Sequence, residues 1–172
     1  MENNQFEIQI AELGRAKLPL WKEFPDFELY MDQLVNLGNR YLQFLQETEI
    51  TPSMINSYVK KGLMHRPNKK RYNTANVAEL VAISLLKSIY SLDAIKKGLQ
   101  DATSQASIED AYDYFATSFN QTLNEITNKC FTFKFDTQKD PLLLTEQFSI
   151  HAVIYKIIGE KLIDLLAQDK NH

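Results

Sequence analysis

The chain has 172 residues, of which 44% are hydrophobic and 11% aromatic, and its formal net charge at pH 7 is −3. This length suits one domain or a small domain with an appendage, and the composition provides ample material for a core. No apolar run is long enough to span a bilayer, and charged residues interrupt the N-terminal stretch where a signal peptide would lie. We therefore expect a globular cytoplasmic protein with no membrane association.

Composition also argues against several kinds of chemistry. Cys130 is the only cysteine, which excludes a disulfide framework, and its helical apolar register favours a buried structural thiol over a redox sensor. The histidines His65, His151 and His172 have no partner at the spacing of a helical zinc site, and no Gly-rich phosphate-binding loop is present. The sequence thus predicts no enzyme, no metal and no cofactor.

The first two segments are predicted to be a short helix and an extended arm. Phe6, Ile10 and Leu13 recur at helical spacing, and Gly14 follows them as a stop signal. Residues 17–30 (KLPLWKEFPDFELY) contain two prolines and interleave apolar with polar side chains, which favours an extended conformation. The aromatic side chains of this arm either cover the core of the same chain or bind a partner, and we favour the first interpretation.

A helical pattern follows between Glu28 and Glu47, where apolar residues recur every three or four positions. Gly38 is a candidate break within this run because glycine disfavours a helix interior. The pattern therefore predicts two shorter helices, of which the second spans residues 39–47. This second helix would pack across the next helix of the chain.

The segment from Thr51 to Tyr72 combines a short helix with a concentration of positive charge. Thr51 suits the N-cap, Pro52 the first helical position, and Gly62 the left-handed residue after the last turn, which predicts a helix of about eleven residues. The segment contains six Lys or Arg and no Asp or Glu, although the whole chain is acidic. Such a local excess of charge is typical of a surface that binds phosphates.

Helical spacing turns Ile55 and either Tyr58 or Val59 inward and leaves small polar and basic side chains outside. The candidate DNA-contacting residues of this segment are Ser53, Asn56, Ser57, Lys60, Lys61, Arg66, Lys69, Lys70 and Arg71. His65 opens the basic turn and either adds to phosphate binding or is an ordinary exposed histidine. The alternative for the whole segment is a solvated charged loop beside a helix.

Two helices and a linker are predicted next. Asn73 caps a helix that extends to Tyr90 and is more apolar than a surface helix needs to be, so we expect it at the centre of the core. Ser91 caps a short helix that ends near Gly98. Residues 101–107 (DATSQAS) are small and polar, which is typical of a linker.

Apolar stripes dominate the C-terminal region. Ser107 begins a helix with an apolar seam from Ile108 to Ile126, and a second helix from Thr145 to Gln168 has a long apolar stripe. Residues 131–135 alternate Phe with polar residues as a strand would, and would pair across a dimer or with nothing. We expect the seam and the stripe to form a homodimer interface; the alternative is that they pack onto the Val77–Ile89 helix. A smaller row, where another helix could approach closely, consists of Ala152, Tyr155 and Gly159.

The order of these signals resembles the N-terminal domain of the mercury-resistance regulator (MerR) family. The resemblance rests on TPSMINSYVKKGL, a basic turn ending in RYN, VAELVAISLLK and SLDAIKKGL, and it covers residues 40–100. It implies a winged helix-turn-helix in which Thr51–Gly62 is the recognition helix and Leu63–Tyr72 a shortened wing. Asn73–Tyr90 and Ser91–Leu99 would then be the supporting helices.

Over its whole length the chain is also similar to an uncharacterised bacterial family, domain of unknown function 1836. The similar stretches are LPLWKEFPDFELYMDQL, TPSMINSYVKKGL, the basic turn into RY, and ISLLKSIYSLDAIK. This resemblance implies the same fold and a regulatory role, and it adds no catalytic residue.

Together these observations predict an all-α protein with three regions. They are an N-terminal helix and aromatic strap (1–38), a MerR-like winged helix-turn-helix (39–100) and a C-terminal helical dimerisation region (101–172). Our hypothesis is a transcriptional regulator that binds double-stranded DNA as a homodimer, with residues 51–62 in the major groove and residues 63–72 on phosphates. The alternative is a protein-interaction adaptor that keeps the winged-helix scaffold and no longer binds DNA. The sequence names no operator and no small-molecule effector.

Overall fold

The computed structural model describes residues 3–46, 48–128, 136, 138 and 140–169. Over these residues the protein is all-α, as predicted, and its β-structure is limited to two isolated bridges. The helices are α1 (Asn3–Leu13), α2 (Met31–Leu42), α3 (Pro52–Lys60), α4 (Thr74–Leu86), α5 (Leu92–Gln105), α6 (Ile108–Thr127) and α7 (Pro141–Asp169). None of them is long and apolar enough to cross a membrane.

Side-chain caps begin the helices where the sequence predicts them. Thr51 Oγ1 accepts a hydrogen bond from the backbone N–H of Met54 at 3.3 Å, and Asn73 and Ser91 cap α4 and α5 in the same way. Ser107 Oγ accepts from the N–H of Asp110 at 3.0 Å. Each cap satisfies a backbone donor that the first helical turn leaves without a partner, so these starts are decided locally.

Helix α4 lies at the centre of the core, which confirms the prediction from its apolar content. All its residues from Asn76 to Leu85 are buried, and it packs against α2, α6 and α7. A surface helix buries only one stripe, whereas α4 is enclosed on all sides by other helices. The segments that follow α2 and α3 are therefore positioned relative to a rigid central helix.

The aromatic arm crosses α6 and packs on its own chain, as we favoured. The backbone of Leu18 exchanges two hydrogen bonds with the side-chain amide of Asn120, at 2.8 and 2.9 Å. The hydroxyl of Tyr112 donates to the carbonyl of Pro19 at 2.9 Å, and Leu18 and Phe24 are buried. The arm is thus held by polar contacts along its backbone as well as by its apolar side chains.

Gly38 does not break a helix, which corrects the prediction of two helices between Glu28 and Glu47. Helix α2 runs through Gly38, where a Cβ atom would lie 2.8 Å from Ile50 Cδ1 and 3.0 Å from Leu80 Cδ2. The glycine therefore allows α2 to approach α4 closely, a tertiary reason that outweighs its low helix propensity. The boundary expected after residue 38 falls inside α2.

The predicted linker at residues 101–107 is also wrong. Helix α5 continues past Gly98 to Gln105, so that only Ala106 and Ser107 connect it to α6. Hydroxyl groups of the small polar residues bond back to helix carbonyls; Thr103 Oγ1, for example, donates to the carbonyl of Leu99 at 2.8 Å. The boundary expected after residue 100 therefore also lies within a helix.

The apolar seam of α6 and the stripe of α7 are buried within the chain. Both helices pack against each other and against α1 and α4, and Phe119, Leu123, Ile150 and Ile154 are almost completely enclosed. The surface that we expected to form a homodimer interface is therefore covered by other helices of the same chain. Packing onto the Val77–Ile89 helix was the alternative that the sequence left open. The predictions for Cys130 and for a strand at 131–135 lie outside the described residues.

Candidate nucleic-acid interface

Helix α3 is short because its two ends are specified within a few residues. Thr51 caps its start, and Gly62 adopts a φ of +71° immediately after the C-cap, as predicted. The helix proper has nine residues rather than about eleven. At its C-terminal end Lys96 Nζ, from α5, donates to the carbonyl of Lys61 at 3.0 Å, where a cation complements the helix dipole.

The inner face of α3 anchors it to the core and leaves a polar outer face. Ile55 and Tyr58 are buried, and burial raises the pKa of the Tyr58 phenol, so this hydroxyl stays protonated. The exposed residues are Ser53, Asn56, Lys60 and Lys61, and Ser57 is half-buried. The five predicted residues of α3 thus face outward, with Ser57 at the edge of that face.

The predicted wing contains a tight turn with an unusual backbone. Asn68 and Arg71 exchange two backbone hydrogen bonds, at 2.9 and 2.8 Å, around the two-residue tip formed by Lys69 and Lys70. Both lysines have positive φ, 46° and 64°, as type I′ turns require. Asn and Gly are the usual residues here, because an L side chain in this region costs roughly 1 kcal/mol or more. The tip therefore carries two exposed ammonium groups on a strained backbone.

A second backbone pairing ties this turn to the aromatic arm. The N–H of Leu29 donates to the carbonyl of Tyr72 at 2.7 Å, and the N–H of Tyr72 donates back at 2.8 Å. Both side chains are buried, so the residues flanking the turn are fixed on the core side. No sequence signal located this pairing, because it joins positions that are 43 residues apart along the chain.

Arg71 differs from the other candidate residues because it has partners within the chain. Its guanidinium lies over the ring of Tyr30, 5.3 Å from the centroid, and donates to the Tyr30 hydroxyl at 3.2 Å. Glu28 Oε2 lies 4.0 Å from Arg71 Nη1. Among the described residues, the remaining candidate side chains form no hydrogen bond or ion pair. Arg71 thus braces the turn, and the other basic groups point into solvent.

Two polar residues of α4 hold the start of the loop formed by residues 63–72, and neither was among the residues predicted from the sequence. Glu79 Oε2 accepts the backbone N–H of His65 at 3.0 Å, and Asn76 Nδ2 donates to the carbonyl of His65 at 2.9 Å. The His65 ring also contacts the Glu79 carboxylate. The sequence does contain a signal for this contact, because Asn76 and Glu79 interrupt a strongly apolar helix. Buried polar groups of this kind need hydrogen-bond partners.

A similar clamp positions the start of α3. Asn39 Oδ1 accepts the N–H of Ile50 at 2.7 Å, and Asn39 Nδ2 donates to the carbonyl of Ile50 at 3.1 Å. Ile50 is buried and directly precedes the N-cap, so α2 fixes where α3 begins. The side chain of Asn39 thereby replaces backbone pairing in the connection between the two helices.

The chemistry of this surface is mainly cationic and polar. The described residues include no group of three His, Cys, Asp or Glu that could hold a metal ion. The surface offers ammonium and guanidinium groups for anions, with Asn and Ser hydrogen-bonding groups beside them on α3. His65 is exposed but is bonded to Glu79, so the geometry gives it a role in holding the loop.

The fold and this surface define an all-α protein that presents a short capped helix next to a strained basic turn. The chain belongs to the family described as Domain of unknown function (DUF1836), whose model matches residues 19–115. That match extends from the aromatic arm into α6 and includes α2 to α5 with the whole candidate interface. No curated protein and no solved structure matches the chain.

Proposed function

We propose that the protein is a DNA-binding transcriptional regulator built on a MerR-like winged helix-turn-helix. In this proposal α2 is the scaffold helix, α3 the recognition helix and residues 63–72 the wing. Support comes from the polar outer face of α3, from the absence of acidic residues between Thr51 and Tyr72, and from the clamps that fix both segments to the core. The proposal assigns no catalytic residue, metal or cofactor.

The observation on which the proposal depends most is the conformation of Lys69 and Lys70. A chain under selection for stability alone would place Asn and Gly at this tip, and a backbone strained in this way is a known mark of functional positions. Two exposed lysines at the tip of a braced turn suit the phosphate backbone of a duplex. They would make contacts that depend on charge and not on base sequence.

The division of roles within the surface follows from side-chain chemistry. Lys60, Lys61, Arg66, Lys69 and Lys70 would contact phosphates, and Arg71 would position the turn through Tyr30. Asn56, with Ser53 and Ser57 beside it, has the donors and acceptors needed to read base edges in the major groove. This set of base-reading groups is small, so one copy of the surface distinguishes few base pairs.

The decisive experiment is binding of the full chain to a random-sequence duplex at increasing salt. Four or five phosphate contacts predict a log–log slope of about −4 between 50 and 200 mM salt. Neutralising Lys69 and Lys70 with Ala should flatten this slope by about two. The matched control neutralises Lys22 and Lys97, which are exposed on other parts of the chain, and should leave the slope unchanged. Absence of binding at 50 mM salt would overturn the proposal.

We also propose that the regulator acts as a homodimer, because a single small reading surface is usually repeated about a two-fold axis. Since the seam of α6 is buried within the chain, the contact would use the smaller row on α7. Tyr155 is 42% and Ile163 65% exposed, and Ala152 lies on the same face. Gly159, in that row, has open space where a Cβ atom would be.

Sedimentation of the full chain tests the dimer directly. We expect a species of twice 19.9 kDa at micromolar concentration, and dissociation of that species by Ile163→Glu. Ile8→Glu is the matched control, because Ile8 is similarly exposed on α1. A 19.9 kDa wild-type species that binds one half-site as well as a palindrome would contradict this arrangement.

The second candidate function is a protein-interaction adaptor. Its specific support is the exposure of Phe27 and Tyr30, 62% and 52%, at the end of the aromatic arm. Exposed aromatic groups of this size are enriched where proteins bind one another. The same salt titration separates the two functions, because an adaptor would not be retained by duplex DNA at low salt.

A further inference from the structure

A cavity of about 740 Å³ lies beside the candidate interface. Its walls come from α4, α5, α6 and the first turns of α7, and the end of α3 and the start of the wing close one side. Leu86, Leu99, Ile108 and Phe115 give these walls an apolar character. Cavities of this size and character are typical of sites for small organic ligands, which range from about 300 to 1,000 Å³.

Glu146 is the distinctive group in this cavity. It belongs to the face of α7 that lines the cavity, with Leu142, Thr145 and Ser149 at helical spacing. The side chain is half-buried, and among the described residues its carboxylate has no hydrogen-bond or ion-pair partner. Burial raises the pKa of this carboxyl to about 7, because its charged form is poorly solvated there.

Five of the other eight titratable or charged groups that line the cavity have partners within the chain. The Tyr90 hydroxyl is 3.0 Å from Ser149 Oγ, Tyr112 bonds to Pro19, Glu79 bonds to His65, and Lys96 bonds to Lys61. Lys60, Lys61 and Arg66 are exposed on the side of α3 and the wing. The titratable and charged groups lining the cavity are Lys60, Lys61, His65, Arg66, Glu79, Tyr90, Lys96, Tyr112 and Glu146. Among the lining residues, Glu146 is therefore the carboxylate that lacks a partner, whereas the unpartnered cations Lys60, Lys61 and Arg66 lie on the side of α3 and residues 63–72.

We propose that this cavity binds a small apolar molecule with a basic nitrogen, and that the nitrogen lies beside the carboxylate of Glu146. An ionised carboxylate in apolar surroundings is costly unless it is paired, and a ligand cation would supply the missing partner. A cation whose charge is shielded by alkyl groups gives up the least hydration on entering such a site. The apolar and aromatic walls would enclose the rest of the molecule. An anionic group beside Glu146 would leave this carboxylate unpaired and add repulsion, so the α7 side of the cavity favours a cation.

The test is calorimetric titration of the full chain, without DNA, with two probes of the same shape. They are 4-phenylbutyl-trimethylammonium and the analogue in which carbon replaces the nitrogen. We expect the cation to bind about tenfold tighter at pH 8, which corresponds to one charge-assisted contact. Because the probe's charge is permanent, the preference should fade between pH 8 and pH 5.5 as Glu146 takes up a proton.

Two variants assign the effect to Glu146. Glu146→Gln should bind both probes equally and keep the affinity of the neutral one, whereas Glu125→Gln, at an exposed position on α6, should behave as the wild type. Equal binding of the probes to the wild type, no binding of either at millimolar concentration, or a preference that survives Glu146→Gln would each overturn the proposal. Because DNA is absent, none of these outcomes depends on the proposed regulatory function.

Discussion

The backbone N–H of His65 donates to Oε2 of Glu79 at 3.0 Å, although the two residues lie in different elements. Glu79 is 9% exposed and sits in the middle of α4, and His65 lies near the start of the loop that follows α3. This contact fixes the position of the basic turn relative to the core. The orientation of the candidate interface therefore depends on a largely buried carboxylate of α4.

Replacing Glu79 with Ala should lower the free energy of unfolding by about 1–3 kcal/mol, because the N–H of His65 and the amide of Asn76 lose an acceptor. Glu79→Gln keeps one acceptor oxygen and should lower the free energy of unfolding by less. Both variants should weaken binding to all DNA sequences, since the turn loses its anchor. Urea unfolding and DNA titration measure the two effects, with Glu12→Ala on the exposed face of α1 as control. Unchanged stability of Glu79→Ala would show that the clamp contributes nothing.

The tip of the turn, formed by Lys69 and Lys70, should show a trade-off between protein stability and the proposed DNA binding. Lys69→Asn with Lys70→Gly places the residues that a type I′ turn prefers at positive φ, and should raise the free energy of unfolding by about 1–2 kcal/mol. Lys69→Ala with Lys70→Ala removes the same charge and relieves no strain. We expect the two double variants to lose DNA affinity equally, and only the first to gain stability. Equal stability of the pair would argue against strain at this turn.

Asn56 should act as a base reader. Asn56→Ala is expected to cost about 1–3 kcal/mol of binding free energy on the preferred site and almost nothing on random DNA. Lys60→Ala, one helical turn away, should weaken binding to the preferred site and to random DNA by the same factor, because it removes a phosphate contact. Competition titrations with selected and random duplexes measure this difference. A loss for Asn56→Ala that is the same on both kinds of DNA would remove its assignment as a reader.

Two glycines within helices should respond to Ala in opposite directions. At Gly38 the added methyl would meet Ile50 and Leu80, both buried, and overpacking of this kind costs about 1–3 kcal/mol. At Gly98 nothing lies within 4 Å, so Ala should stabilise α5 by up to about 1 kcal/mol. Thermal unfolding of the two variants provides the comparison. Stabilisation by Gly38→Ala would mean that α2 and α4 can separate without loss.

The pKa of Glu146 predicts a pH dependence of stability. Because the pKa of Glu146 is about 7 in the folded chain and its ordinary value is 4.5, the folded chain holds a proton that the unfolded chain releases between these pH values. The contribution of Glu146 to the free energy of unfolding should therefore fall as the pH rises from 4.5 through 7. Glu146→Gln removes this dependence. Its free energy of unfolding, relative to that of the wild type, should rise by about 1–2 kcal/mol between pH 4.5 and pH 7. Urea unfolding at pH 5 and pH 8 measures it, and a pH-independent difference would contradict the assignment.

The sequence by itself determined the features that depend on neighbouring residues. The caps at Thr51, Asn73 and Ser107 and the left-handed Gly62 are decided within one turn of the chain, because a helix end must satisfy its own orphan backbone groups. The sequence also shows the concentration of positive charge in residues 51–72 and the apolar content that places α4 at the centre of the core. These signals were sufficient to predict an all-α fold and a candidate interface.

The tertiary structure alone decided the features that depend on distant residues. In the sequence Gly38 indicates a helix break, whereas in the structure Leu80 and Ile50 pack against it. The seam of α6 likewise indicates a dimer interface, whereas in the structure α1, α4 and α7 cover it. The contact of His65 with Glu79 and the cavity around Glu146 are equally invisible in the sequence. The reason is that burial free energy is shared among side chains from all elements, whereas propensity and capping act only along the chain.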